Sequence, residues 1–183
     1  SIFENMADGT FPSGTSRYEK RGVAVHLPHW DKDKCIQCNQ CSFVCPHGAI
    51  RPFLLDDVEQ MNAPKGFQTI KAQGNEVKDG LYYRMQVSAL DCMGCGNCAD
   101  ICPSKENALQ MKTYDEEIKE AENWEYAMTL SNKNQNLKKD TVKGSQFVQP
   151  YFEFSGACAG CGETPYVKLI TQLFGDRMLI ANA

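Results

Sequence analysis

Cys35-Ile-Gln-Cys38-Asn-Gln-Cys41-Ser-Phe-Val-Cys45-Pro46 recurs as Cys92-Met-Gly-Cys95-Gly-Asn-Cys98-Ala-Asp-Ile-Cys102-Pro103, and these two runs decide how the chain folds. In each, three cysteines spaced two residues apart let a tight loop set three sulfurs around one inorganic centre, with backbone N–H groups turned inward. Gly94, Gly96 and Asn39 are small or polar residues that ease this close approach. The fourth cysteine follows the third by four residues, about one helical turn, and the proline behind it forces the chain out of helix. Its sulfur is therefore expected to point away from its own loop. Each run ends in an apolar pair, Ala49-Ile50 and Ala108-Leu109. A copy this small cannot bury a core alone, so the two are expected to pack together as a pseudo-twofold module.

Ten cysteines in 183 residues fit disulfides, zinc or clusters by count, and spacing separates these readings. Zinc takes four tetrahedral ligands, usually from two separated C-x2-C pairs, whereas here a third cysteine follows each pair. Disulfides lack a secretory context, and cysteines this close in a loop bridge poorly. Both runs match the bacterial ferredoxin pattern C-x2-C-x2-C-x3-C-P, which points to two 4Fe-4S clusters. In ferredoxins the fourth cysteine ligates the other cluster. That resemblance implies one cluster on Cys35, Cys38, Cys41 and Cys102, and a second on Cys92, Cys95, Cys98 and Cys45. The 46 residues from 46 to 91 between the runs do not prevent this, because loop closure costs only about 0.6 kcal/mol per doubling of length.

With 42% apolar residues the chain has enough for one ordinary globular domain or two small ones. Its 19 basic and 23 acidic side chains leave a net charge of -4, which argues against a nucleic-acid or anionic-membrane partner. No apolar stretch approaches the roughly 20 residues needed to cross a bilayer, and Ser1 to Met6 lack the basic start of a secretory signal. A soluble, cytoplasmic protein is expected.

The fold class expected is α+β: a dicluster ferredoxin-like module followed by the opening helix and strand of an α/β domain. Residues 1–34 read as a lead-in arm, with a loop over Gly9 to Thr15 and a strand-like patch at Val23 to Leu27. Residues 35–113 form the dicluster domain. Its insertion holds a short helix near Asp56 to Met61 and a strand at Leu81 to Val87, where Leu81, Tyr83, Met85 and Val87 alternate with Tyr82, Arg84, Gln86 and Ser88 in the period of a half-buried strand. Residues 114–146 read as a connector anchored by Trp124, Tyr126 and Leu130, with a helix at Glu116 to Met128. In 147–183, Thr164 is placed to cap a helix with Pro165 in its first turn, running through Leu169, Ile170, Leu173 and Phe174 and ended by Gly175. A strand from Met178 to Ala181 should follow. Because it stops at Asn182-Ala183 without a turn or polar tail, the chain reads as a fragment. His26, His29 and His47 read as structural or solvent-facing.

Cys158-Ala-Gly-Cys161 is by itself a weak signal, shared by zinc half-sites and redox dithiols. Its context is more specific. The run Phe154-Ser-Gly-Ala-Cys158-Ala-Gly-Cys161-Gly-Glu-Thr-Pro-Tyr-Val, behind the dicluster module and an arm containing Ala7-Asp-Gly-Thr-Phe-Pro and Tyr18-Glu-Lys-Arg-Gly, closely resembles single-chain pyruvate:ferredoxin oxidoreductase over nearly all of the chain. The resemblance implies an enzyme that oxidatively decarboxylates pyruvate on thiamine diphosphate and Mg2+, makes acetyl-CoA, and passes electrons singly through three 4Fe-4S clusters to ferredoxin or flavodoxin. It makes Cys158 and Cys161 half of the third, inner cluster site, Glu163 a thiamine diphosphate contact, and the remainder of a homodimeric parent polypeptide the partner of this piece. No catalytic residue is expected within it, and no turnover from it alone. The residues read without the resemblance reach a two-cluster electron carrier, with a zinc-stabilised interaction module as the non-redox alternative.

Overall fold

The computed structural model describes residue 7 and residues 14–133 and 137–181. Most of the loop expected over Gly9 to Thr15 lies outside them. Among the described residues five strands and seven α-helices follow in chain order: β1 (His26–Trp30), α1 (Gln40–Phe43), β2 (Ile50–Leu55), α2 (Asp57–Met61), β3 (Ile70–Lys71), β4 (Tyr82–Val87), α3 (Asn97–Asp100), β5 (Leu109–Thr113), α4 (Tyr114–Glu117), α5 (Glu120–Ala127), α6 (Val142–Ser145) and α7 (Thr164–Phe174). The content is mixed helix and strand, as expected.

Each cysteine run is flanked in the same way, by a strand before it, a single helical turn within it and a strand after it. The outer strands pair with each other, β1 antiparallel to β5 with Trp30 opposite Leu109. The inner strands do likewise, β2 antiparallel to β4 with Ile50 opposite Val87, and β3 adds to the far side of β4. Pro28 and Pro52 interrupt no central ladder, since β1 has one neighbour and β2 is an edge. The largest apolar cluster joins Ile50, Leu54, Tyr83, Met85, Val87 and Leu109 to cysteines of both runs. The core and the thiols are thus one packed unit.

Several expectations shift. The first strand is His26–Trp30 rather than 23–27, because its register is set by β5; Val23 and Val25 are exposed. The helix at 57–61 forms, held by a capping box in which Asp56 accepts from Glu59 N at 2.9 Å and Glu59 accepts from Asp56 N at 3.0 Å. β4 is buried on both faces, not half-buried: Arg84, Gln86 and Ser88 are as enclosed as Tyr83 and Met85. Helix α5 covers that polar face, with Glu120 accepting from Arg84 Nη2 at 2.6 Å and from Gln86 Nε2 at 3.0 Å. The helix expected over 116–128 divides into α4 and α5.

Helix α7 begins at Thr164 with Pro165 in its first turn, yet Thr164 is its first residue and Glu163 takes the cap position. Its buried side chains are polar, Thr164, Lys168, Thr171 and Gln172, whereas Tyr166, Ile170 and Phe174 are exposed. The strand expected at 178–181 does not form. No strand among the described residues lies beside this segment to complete a ladder, and Leu179 and Ile180 stand in solvent.

Candidate metal centres

The two runs build the same loop with different residues. In the second, Gly94 and Gly96 have φ of 66° and 83°; in the first, the equivalent Gln37 and Asn39 have φ of 57° and 61°. A residue with a Cβ is strained there. Both amide side chains are buried and anchored. Gln37 donates to Lys71 O at 2.8 Å and accepts from Gln73 N at 3.0 Å. Asn39 donates to Lys143 O at 2.8 Å and accepts from Tyr83 OH at 2.8 Å. The strained loop is thereby tied to the insertion, the core and the connector. In each run the N–H two residues after the first cysteine donates to its sulfur, Gln37 N to Cys35 and Gly94 N to Cys92, both at 3.4 Å.

Cys35, Cys38 and Cys41 line a cavity of about 330 Å³ together with Cys102, Trp30, Tyr83 and Met85. Cys92, Cys95 and Cys98 line another, of about 380 Å³, with Cys45, His47 and Met111. Both volumes include space open to solvent at the mouth. In each case the fourth cysteine comes from the opposite run, because the chain leaves its one-turn helix toward the neighbouring loop. No three His, Cys, Asp or Glu side chains among the described residues converge closely enough to hold a single metal ion. Four soft sulfurs around one cavity, with no three of them close enough to ligate one ion, suit a polynuclear iron-sulfur group better than one tetrahedral zinc.

The cavities are lined mainly by apolar side chains and crowded with sulfur. Burial pushes the Cys41 thiol well above its usual range, and Cys98, Cys35 and Cys38 add to the effect. Burial likewise raises Cys98, and raises Cys92 to about 12 against the opposing N–H of Gly94. The Cys35 thiol is raised by burial while the Trp30 indole and Gln37 N–H pull the other way. Without metal these groups are neutral thiols, so binding a metal there must release their protons.

Cys158 is exposed and Cys161 half-buried, and among the described residues no further cysteine joins them. Cys161 precedes α7, whose Thr164 and Glu163 backbone N–H groups, with the Thr164 hydroxyl, hold its thiol below the usual range. Gly160, between the two cysteines, lies against the second run: a Cβ there would sit 3.7 Å from Cys95 Cβ and from Asn97 Oδ1. Glu163 is exposed beside this turn. His47 is buried and helps hold the approach to Cys158, its carbonyl accepting from Phe154 N at 2.8 Å. His29 Nδ1 is 2.9 Å from Glu117 Oε1, and His26 is exposed.

Sequence reasoning missed Lys168, Trp30 and Gln37. Aligning the two runs would have found Gln37, since it occupies the place of Gly94.

A family model described as a 4Fe-4S dicluster domain matches residues 34–106, and one named EKR, described as a domain of unknown function, matches residues 1–24. The chain is 61% identical over 183 residues to a pyruvate-flavodoxin oxidoreductase of Enterobacter agglomerans, covering 100% of this chain and 15% of that protein. It is 60% identical over 178 residues to a pyruvate:ferredoxin oxidoreductase of Moorella thermoacetica, covering 96% and 15%. A pyruvate dehydrogenase [NADP(+)] of Cryptosporidium parvum is 54% identical over 184 residues, covering 100% and 9%. The chain therefore spans a minor part of the length of the relatives it matches. No helix among the described residues is long and apolar enough to cross a membrane.

Proposed function

We propose, from the premise that the chain corresponds along its whole length to a segment of the pyruvate:flavodoxin and pyruvate:ferredoxin oxidoreductases, that it is the intramolecular electron path of such an enzyme. The observation that carries this is the crossed lining of the two cavities, Cys102 beside Cys35, Cys38 and Cys41, and Cys45 beside Cys92, Cys95 and Cys98. These are the sulfurs that would hold the two clusters. Bound there, 4Fe-4S clusters supply one-electron oxidation and reduction. The protein's part is to fix the sulfurs, offer backbone N–H groups at Gln37 and Gly94, and keep water out with Ile50, Met85 and Leu109.

The matching courses of the two runs, with inner strands paired and outer strands paired, support a pseudo-twofold module. The closeness of Gly160 to Cys95, whose Cβ would lie 3.7 Å from one added at Gly160, supports an order of travel from a third site at Cys158 and Cys161, through the second run, to the first. The exposed apolar side of α7 supports the reading that residues 147–183 open a thiamine-binding domain, with Glu163 at its cofactor and the rest of a homodimeric parent covering that side. In the parent, oxidation of pyruvate with CoA to acetyl-CoA and CO2 releases two electrons, carried singly to ferredoxin or flavodoxin in a reducing, cytoplasmic setting. A relative named for NADP(+) shares this segment, which supports an acceptor chosen outside it.

Metal analysis of anaerobically purified protein tests the proposal. About eight iron atoms and about eight acid-labile sulfides per chain are expected, with interacting paramagnetic signals after reduction. Zinc in place of iron contradicts it. In the parent enzyme, failure of pyruvate to reduce a low-potential acceptor despite full cofactor loading would remove the enzymatic part.

A further inference from the structure

We infer that the indole N–H of Trp30 donates a hydrogen bond to the sulfur face of the cluster held by Cys35, Cys38, Cys41 and Cys102, and sets that cluster's potential above the value it would have without it. The inference rests on the two-cluster reading above and goes beyond it in assigning a tuning residue.

Trp30 is the last residue of β1, five before Cys35, and its ring lines the first cavity. Its Nε1 is buried and has no hydrogen-bond partner within the protein. An indole nitrogen only donates, and a buried donor left unpaired is costly, so its counterpart is to be sought in the cavity it lines. Its N–H acts on the Cys35 sulfur as a donor too loosely placed to count as a formed hydrogen bond, and draws that thiol down against the effect of burial. Tyr83 at 6.2 Å between ring centres and the Arg84 guanidinium at 5.7 Å fix the ring from its other sides.

The second cavity is lined by no tryptophan; His47 and Asn97 are its polar side chains. The position five residues before Cys92 is Val87. His47 Nε2 is also buried and unpaired, but His47 Nδ1 lies 3.3 Å from the carbonyl oxygen of Ser155. A carbonyl can only accept, so His47 Nδ1 is the donor to Ser155. The first site therefore presents an indole N–H for which the second has no indole counterpart.

Reduction adds one electron and increases the negative charge on sulfur, so a donor aimed at sulfur favours the reduced state. The indole proton stays on nitrogen throughout. The electron comes from oxidation of the 2-oxoacid by way of the second run and leaves to the external acceptor. A higher potential at the first run makes the last internal transfer more downhill.

Trp30→Phe keeps an aromatic ring but removes the N–H together with the pyrrole half of the indole, so the nitrogen coupling of a labelled indole is read beside it. The test is a redox titration followed by electron paramagnetic resonance on the cluster-loaded protein, with iron and sulfide measured on the same samples. The component that Cys35→Ser perturbs should shift negative by about tenfold in its reduced-to-oxidised ratio at fixed potential, about 59 mV, while the other stays in place. Full iron content with both potentials unchanged overturns the inference; wild-type protein without iron overturns the cluster reading beneath it. Whether or not Trp30→Phe assembles, 15N-tryptophan labelling of a Trp124→Phe protein leaves one labelled indole, since the chain has two tryptophans. Pulsed resonance of the reduced protein should then show its nitrogen coupled to a cluster, and absence of that coupling overturns the inference.

Discussion

Lys168 Nζ lies 3.2 Å from the carbonyl oxygen of Cys45, and the same ammonium also reaches the carbonyl of Ser42. Helix α7 thus plants a buried cation on the turn that sends Cys45 toward the opposite run. Burial pushes this amine down to about 8, with the Cys45 thiol opposing the push. Around it, Ser42 Oγ donates to Gln146 at 3.0 Å, Gln146 to Gln172 at 3.2 Å, and Gln172 to Val148 O at 2.7 Å. This polar seam explains why α7 buries its hydrophilic side.

Replacing Lys168 by Met removes the donor from both carbonyls. A hydrogen bond to a charged group is worth about 1.5–3 kcal/mol, offset in part because a buried charge is also removed. A net loss of about 1–2 kcal/mol is expected in urea unfolding, together with faster proteolysis at α7 and unchanged iron content.

Gly94 and Gly96 separate two causes of intolerance. At Gly96 an added Cβ meets nothing within 4 Å, so Gly96→Ala costs only left-handed strain, about 1–2 kcal/mol. At Gly94 it would meet His26 O at 2.9 Å and Ala24 Cβ at 3.2 Å, forcing the arm off the second run. Gly94→Ala should be worse by at least about 1 kcal/mol in chemical unfolding, and should lower iron content where Gly96→Ala does not. Equal effects would mean the arm does not seal this loop.

The spacing of the cysteines was legible because cluster chemistry dictates it, and α2 was legible because Asp56 and Glu59 carry their own cap. What escaped depended on distant partners. Arg84 and Gln86 look like a solvent face until Glu120 is folded over them. Val23 and Val25 look like strand until β5 sets the register three residues later. The apolar residues of α7 suggested a buried side, yet the polar network through Lys168 and Gln172 decides which side is buried. At 178–181 an apolar run without a neighbouring strand stays unpaired.

Glu59 gives a pH dependence with a definite sign. Burial pushes its carboxyl up, but Lys133 at 2.7 Å, Ser131 and the Asp56 N–H outweigh this and hold it at about 2. The folded value lies below the unfolded one. The contribution is therefore complete above about pH 4.5 and lost as pH falls toward 2. The stability gap between wild type and Glu59→Gln, measured by denaturant titration, should narrow through that window and stay constant above it.

Removing iron should dissolve the core. The main apolar cluster contains Cys35, Cys41, Cys45, Cys92 and Cys98 among its packing partners, so stripped protein holds two voids at its centre. Chelation under anaerobic, reducing conditions should abolish near-ultraviolet circular dichroism and take up protons at pH 8, because thiols such as Cys92, raised to about 12, become protonated. A stripped chain that keeps its near-ultraviolet spectrum would show that clusters do not hold this fold.

The crossed sharing of sulfurs is tested most directly by comparing four variants, Cys35→Ser, Cys102→Ser, Cys92→Ser and Cys45→Ser, by electron paramagnetic resonance and redox titration. Cys102→Ser should perturb the same signal as Cys35→Ser, and Cys45→Ser the same signal as Cys92→Ser. If Cys102→Ser instead matches Cys92→Ser, each run closes on its own cluster and the account is contradicted.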